Sequence, residues 1–438
     1  MPASPADSAL YRGLFLDDET AALFTDSAEV RAMLLVEGAL ARVQGNLGVI
    51  PETAAAFIDR SAREVMIDPA GLAAETAVNG VPVPALIAAF RKAMEAPDHA
   101  RYLHWGATSQ DIMETAQALR LRRVIDLWDA RLQALTRQLA RLARAHADLP
   151  MAARTYGQAA TPTSFGAVVA CWGHPLLRQR ARLAGLRDDL AVVSLGGAAG
   201  TLSAMGQQGP AIRAGLAQAL GLGDPGHSWH AERDSIGAFA AWMAGMVGSL
   251  GKMGEDLILM AQSGIAEVAI SGAGGSSTMP QKQNPVGPSV LVALARQGIA
   301  LSGAVQGAGL HRQQRDGAAW FTEWLCLPQL CILTGRALAL ALDLSQRITP
   351  DPAAMARGLE DGAGLIRAEE FTFLLARHMP RPEAQAKVKA LCARARPGGP
   401  SLADLLAAEF PDLGLTGQGG LGTAPDEARA FADRVEGD

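Results

Sequence analysis

Two adjacent hydroxyls, Ser276 and Ser277, are followed closely by a single cation, Lys282, and an amide, Asn284, within the stretch GAGGSSTMPQKQNP at residues 272–285. A serine that gives or takes a proton, beside a lysine that holds negative charge, suits proton transfer alpha to a carboxylate and support of the resulting enolate-like oxyanion. Gly272, Gly274 and Gly275 let the backbone take φ > 0 and approach a ligand closely, so the loop is expected to close over an anion. A plain Gly/Ser/Pro surface loop is the commoner meaning of such composition. The number of specified positions in one short stretch argues for chemistry instead.

Two further stretches offer partners for that loop. HWGATSQD, His104 to Asp111, places Thr108, Ser109 and Gln110 at an expected helix start, where backbone N–H groups and the helix dipole favour an anion. Taken alone, Ser109 or Asp111 would be an N-cap, which is commoner than a binding site. RTYGQAATPTSFG, Arg154 to Gly166, presents Arg154, Thr155, Tyr156 and Gln158 ahead of a helical run.

The elements that must position these groups are helical. Between 121 and 142, Leu121, Ile125, Trp128, Leu132, Leu135, Leu139 and Leu142 step by alternating fours and threes, a heptad seam on one long helix. Arg122, Arg123, Asp126, Asp129, Arg131, Arg137 and Arg141 lie between them as a solvated face. Met243, Met246, Leu250, Met253, Leu257 and Met260 repeat the alternation, flanked by Ala240, Ala241, Ala244, Gly245, Gly248, Ser249 and Gly251. A helix apolar or small all round is expected to be covered all round, at the centre of a bundle and against other subunits. Val290 to Leu310 reads the same way, and the methionines read as core. Prolines 51, 69, 82, 84 and 97 break the first part into shorter amphipathic helices, and Pro350 and Pro352 open a C-terminal part. The expected segments are therefore 1–111, 112–349 and 350–438. The fold class is all-α, with strands minor.

Composition agrees. The 438 residues, 49% hydrophobic and 19% charged, suit a soluble chain of about two or three domains. A net charge of −5 without a dense basic patch gives nucleic acid no purchase. The start MPASPADSALYRGLFLDD lacks a basic region followed by an apolar one, so no secretory leader is expected and a cytoplasmic location is. Residues 235–251 and 297–310 carry no formal charge, but each is shorter than the roughly 20 apolar residues of a membrane span. Buried bundle helices are expected there. Cys171, Cys326, Cys331 and Cys392 form no ligand cluster and read as buried thiols.

The segment 272–285 closely resembles the signature loop of the fumarase/aspartase superfamily, and HWGATSQD and RTYGQAATPTSFG resemble its other two site segments, in the superfamily's order. That resemblance implies a three-domain helical fold with a central long-helix bundle, a homotetramer whose sites are shared between subunits, a di- or tricarboxylate substrate, and no metal or organic cofactor. It also implies Ser276 as the proton-transferring group, by its spacing from Lys282, with Ser277 the neighbouring alternative. Substrate contacts are implied for Thr108, Ser109, Gln110, Arg154, Thr155, Tyr156, Gln158, Ser277, Met279 and Asn284.

Position 156 divides the superfamily. Fumarases, adenylosuccinate lyases and argininosuccinate lyases would have histidine there, as part of their acid machinery, and this chain has Tyr156. An amine or hydroxide needs a proton to depart, whereas a carboxylate with a pKa of about 4 leaves or adds unaided. The chain resembles the bacterial 3-carboxy-cis,cis-muconate cycloisomerase branch, which likewise has an aromatic residue here. The likeness extends through residues 22–51, NGVPVPALI at 79–87, STMPQKQNPV, and RQQRDGAAWFTEWLCLPQL at 312–330. In that last stretch the usual His-Glu-Arg is replaced by His311, Arg312, Gln313, Gln314 and Arg315. Arg312 and Arg315 could serve a tricarboxylate, mark a changed substrate, or be surface charges. His104, with His230 and His311 behind it, is a candidate acid/base or anion-binding group. A lyase of nitrosuccinate type, less readily one of adenylosuccinate type, and a non-catalytic member remain alternatives.

Overall fold

The computed structural model describes residues 4–272, 274–275, 278–360, 362–413 and 420–437. Six helices carry the architecture: α1 (Asp26–Asn46), α2 (Ser109–Ala145), α3 (Phe165–Leu190), α4 (Asp234–Met260), α5 (Val286–Gly307) and α6 (Gly317–Arg347). Among the described residues the strands are two short antiparallel pairs, β1 (Pro150–Thr155) with β2 (Gln158–Ser164) and β3 (Val268–Ile270) with β4 (Ile348–Pro350). The fold is all-α.

Packing divides the chain into two compact units. One comprises residues up to Arg131, Gln179–Gly248 and Leu294–Ala339; the other comprises Leu132–Arg178, Ser249–Ala293 and the chain from Leu340 onward. Helices α2 to α6 contribute residues to both.

Helix α2 runs for 37 residues because its sequence has neither Gly nor Pro to interrupt it. The heptad seam is buried as expected from Leu121 to Leu139, each at 2% exposure or less. At the next step Leu142 is half-buried and Ala143 takes the interior position. In the first unit Trp128 stacks on Phe239 and Trp242 of α4, with ring centroids 5.8 and 5.9 Å apart, and its indole N–H donates to Thr20. Several charges read as a solvated face have partners: Arg131 pairs with Asp17, and Arg180 and Arg187 pair with Asp129 and Asp126.

All six seam residues of α4, from Met243 to Met260, are buried. Small residues allow close approach. A Cβ on Gly298 of α5 would sit 2.9 Å from Leu333 and 3.0 Å from Val247, and in the other unit a Cβ on Gly254 would sit 2.9 Å from the Pro288 carbonyl. Yet Ala241 and Gly245 on the small face of α4 are exposed, as are Ile299 on α5 and Leu325 on α6. Helices α5 and α6 are long and apolar enough to cross a membrane by length and composition, and about half of each apolar window is buried within the protein.

The prolines act at helix starts. Pro82 and Pro84 sit at the beginning of Val83–Met94, Pro352 opens Pro352–Glu360, and Pro380 precedes Arg381–Cys392. The C-terminal helices share a core of their own around Phe371, Leu375, Val388, Leu391 and Leu406. The thiols depart from expectation: only Cys331 is buried, Cys326 and Cys392 are half-buried, and Cys171 is exposed. Cys171 lies on α3, where the turn of the helix points it away from the buried Val169, Ala170 and Trp172.

Candidate active site

In the first unit, the start of α2 is organised by Asp111. This carboxylate is fully buried and accepts the backbone N–H groups of Thr108 (3.0 Å), Gly196 (2.7 Å) and Gly197 (3.0 Å), and it meets His230 Nε2 at 2.7 Å. Taking the Thr108 N–H three residues back is the acidic half of a capping box. Asp111 is thus a cap from inside the first turn, and it also ties the 196–197 loop and His230 to the helix start. Gly196 is required there, since a Cβ would lie 2.4 Å from the Ser228 hydroxyl.

Thr108 and Ser109 are half-buried, and among the described residues their hydroxyls have no protein hydrogen-bond partner. They are free to receive an anion at the helix start. Gln110 is different. It is fully buried, its amide N–H groups donate to Glu114 (2.8 Å) and the His230 carbonyl (2.8 Å), and its carbonyl oxygen accepts Arg315 Nε at 2.6 Å. Its polar atoms are spent on positioning Arg315, which also donates to the Ala198 carbonyl. Arg312 pairs instead with Asp316, its side chain 80% exposed.

His104 sits in the left-handed region at φ 62°, a conformation that a non-glycine residue holds only when its surroundings demand it. The demand is Glu37 of α1, fully buried, whose Oε1 lies 2.6 Å from His104 Nδ1. Burial disfavours the charged ring, but the Glu37 carboxylate, and Asp111 further off, outweigh it and raise the His104 pKa above its ordinary 6.5. The second Glu37 oxygen is buried with no partner among the described residues. Glu37 could not be picked out of the sequence as a site residue, because it occupies an ordinary position in the helical run of α1. His311 has both ring nitrogens buried with no partner among the described residues, and burial, with Arg233 nearby, lowers its pKa.

In the second unit, Arg154, Thr155, Tyr156 and Gln158 lie on the β1–β2 hairpin. Tyr156 and Gly157 form its two-residue turn at φ 53° and 74°, the paired left-handed geometry of a type I′ turn. Tyr156 is wholly exposed. Arg154 makes a bidentate pair with buried Glu267, both contacts at 2.8 Å.

The signature loop leaves β3 and ends at α5. A reciprocal pair of backbone hydrogen bonds between Gly274 and Asn284, at 3.1 and 2.7 Å, closes its neck. Of the three glycines singled out, only Gly272 takes positive φ, at 70°. Gly274 is needed for another reason, because a Cβ there would sit 2.7 Å from Val286. Asn284 donates weakly to the Gly275 carbonyl at 3.4 Å, Met279 accepts the Lys282 N–H, and the Lys282 side chain is exposed with no ion pair among the described residues. Ser276 and Ser277 lie outside the described residues.

The site residues therefore fall into two sets, His104, Thr108, Ser109, Gln110 and Arg315 in one unit and the hairpin and signature loop in the other. A family model described as lyase matches residues 16–299. The chain belongs to this lyase family. Its relatives in the family include the 3-carboxy-cis,cis-muconate cycloisomerase of Pseudomonas aeruginosa, 40% identical over 88% of this chain and 85% of that one. Nitrosuccinate lyase of Streptomyces davaonensis is 34% identical over 93% of this chain and 88% of that one. The crystal structure of 3-carboxy-cis,cis-muconate lactonizing enzyme from Pseudomonas putida superposes with a TM-score of 0.92 at 33% identity, covering 98% of this chain and 99% of that one. The likeness to the fumarase/aspartase superfamily drawn from three short segments thus holds over nearly the whole chain.

Proposed function

We propose that the protein is a cytoplasmic cycloisomerase that closes 3-carboxy-cis,cis-muconate to 4-carboxymuconolactone, a step of aromatic-ring degradation. The observation that carries this reading is the nearly full-length likeness, in sequence and in fold, to enzymes named for that reaction. Tyr156 supports it independently: a reaction in which a carboxylate oxygen adds to carbon has no need of the acid a histidine would supply.

One substrate carboxylate attacks the alkene carbon, forming the ring C–O bond. The displaced π electrons accumulate as an aci-carboxylate, held by Lys282, Asn284 and the free hydroxyls of Thr108 and Ser109. Ser276 then delivers a proton to the alpha carbon, with Ser277 the neighbouring alternative. Protonated His104, fixed by Glu37, binds a further carboxylate, and Arg315, fixed by Gln110, another. Arg154, Thr155, Tyr156, Gln158, Met279 and Arg312 complete the substrate surroundings in this proposal. The steps need no metal or organic cofactor.

The exposed small and apolar positions on α4, α5 and α6 support assembly of a homotetramer with shared sites, and the proline-marked segments 1–111, 112–349 and 350–438 are proposed as its three domains. The test is Ser276→Ala with product analysis. Loss of lactone formation with the oligomer intact is expected. Full activity in the variant would remove Ser276 from the mechanism.

The likeness to nitrosuccinate lyase favours a second reading. Nitrite, like a carboxylate, departs without a proton, so Tyr156 suits it equally. Nitrite release from nitrosuccinate, without lactone formation from the muconate, would select that reading. A non-catalytic role would leave both substrates untouched.

A further inference from the structure

Three arginines of the first unit differ in what holds them. Arg233 is clamped by Glu114 and Glu323, with contacts of 2.7 to 3.0 Å, and Arg312 pairs with Asp316. Arg315 is held by neutral acceptors, the Gln110 side-chain carbonyl at 2.6 Å and the Ala198 backbone carbonyl at 3.3 Å. Among the described residues its Nη1 has no partner and no carboxylate pairs with it. A carboxylate would fix the guanidinium and cancel its charge at once, whereas a carbonyl fixes it and leaves the charge.

Gln110 has one workable orientation. The groups that face its amide are the Glu114 carboxyl, the His230 carbonyl and the Arg315 Nε–H, two acceptors and one donor. Its two amide hydrogens satisfy the acceptors and its oxygen the donor. Flipped, it would set its NH2 against the Arg315 N–H and its oxygen against both acceptors. Glu114 enforces the choice through Oε1, which takes Gln110 at 2.8 Å and Arg233 at 2.7 Å. Burial raises the Glu114 pKa, but Oε2 has no partner among the described residues and is the oxygen a proton would occupy, so Oε1 accepts in either state.

We propose that Gln110 is a positioning residue, oriented by Glu114 and the His230 carbonyl, that holds Arg315 with its charge unspent to receive the third carboxylate of a tricarboxylate substrate. The inference rests on reading this site as one for a polycarboxylate. In the same unit the hydroxyls of Thr108 and Ser109 and the imidazole of His104 serve the other two carboxylates. Gln110 thereby acts on specificity, through the one carboxylate that distinguishes a tricarboxylate from a dicarboxylate of the same chain.

The experiment is calorimetric titration of the full-length protein at neutral pH with propane-1,2,3-tricarboxylate and with pentanedioate, the same chain without the middle carboxylate. Melting temperature and turnover of 3-carboxy-cis,cis-muconate are measured alongside. The wild type is expected to bind the tricarboxylate about tenfold more tightly or better. Arg315→Gln, at an exposed side chain, should bring the two Kd values within about threefold of each other, and Gln110→Met should do the same with no further loss in the double variant. A residue that only supports the fold would lower the melting temperature and leave the ratio of the Kd values where it was. If Gln110→Met does not fold, Gln110→Glu decides, because it keeps an oxygen for Arg315 but spends the charge, and it is expected to lose the preference too. No binding of the tricarboxylate, equal affinity of the wild type for the two ligands, or a Gln110 variant that keeps the preference overturns the proposal. Any of these with muconate turnover intact leaves the cycloisomerase reading standing. A preference present in the wild type and lost in the variants, without turnover, overturns that reading and supports this one.

Discussion

At the start of α2, Asp111 is dry and receives three backbone N–H groups and an imidazole, whereas in the loop that ends at α5, Lys282 stands in solvent and one reciprocal pair of backbone bonds closes the neck. The first region spends its buried carboxylate on its own backbone and leaves only the hydroxyls of Thr108 and Ser109 without a partner among the described residues, and the second leaves its principal cation in solvent. The contrast separates a carboxylate that builds the fold from a cation that is proposed to meet the substrate, even though both regions resemble site segments of the same superfamily.

The largest expected effect breaks the first region. Asp111→Ala strands buried donors and is expected to cost about 3–5 kcal/mol, read by urea denaturation. A loss under about 1 kcal/mol would mean the network is not what holds the helix start. Lys282→Ala should do the reverse, lowering kcat on the muconate by about 10²–10³ while leaving the urea midpoint in place; a large loss of stability would erase the contrast.

Arg154 sharpens the comparison, because its site segment also contains a saturated ion pair. Arg154→Lys cannot make the two-pronged contact with Glu267 and should cost about 1–2 kcal/mol, with a smaller effect on kcat than Lys282→Ala. An unchanged midpoint with lost turnover would move Arg154 to the substrate.

Glu37→Gln tests the histidine. The Glu37 pair raises the folded-state pKa of His104, so its contribution to stability is complete below the unfolded value of 6.5 and is lost as pH rises through the folded value. The variant should show a lower His104 pKa by NMR and a stability deficit confined to the acid side. A His104 pKa unmoved by the substitution would contradict the dyad. Arg312→Ala should have the smallest effect, with no measurable change in melting temperature, because its pair with Asp316 is held at an exposed side chain.

What could be read from the sequence follows from locality. The seam of α2 and the six buried residues of α4 are periodic along the chain, so spacing alone finds them. The three site segments are contiguous motifs and stand out for the same reason. Glu37, His230 and Arg233 were not legible as partners, since each meets its neighbour only after the chain has returned from 67 to 119 residues away. Gln110 shows the limit of motif reading: a polar residue between Ser109 and Asp111 looks available, but the first turn of α2 directs it inward to Glu114 and Arg315. Tyr156 shows the converse, where a single residue type carried a chemical argument that no fold-level pattern contains.

The most direct measurement is ultraviolet absorbance of the purified protein with 3-carboxy-cis,cis-muconate, with nitrosuccinate run alongside. The account predicts enzyme-dependent loss of the conjugated diene and appearance of the lactone, with no nitrite released from nitrosuccinate. An intact oligomer that leaves the diene unchanged would contradict it.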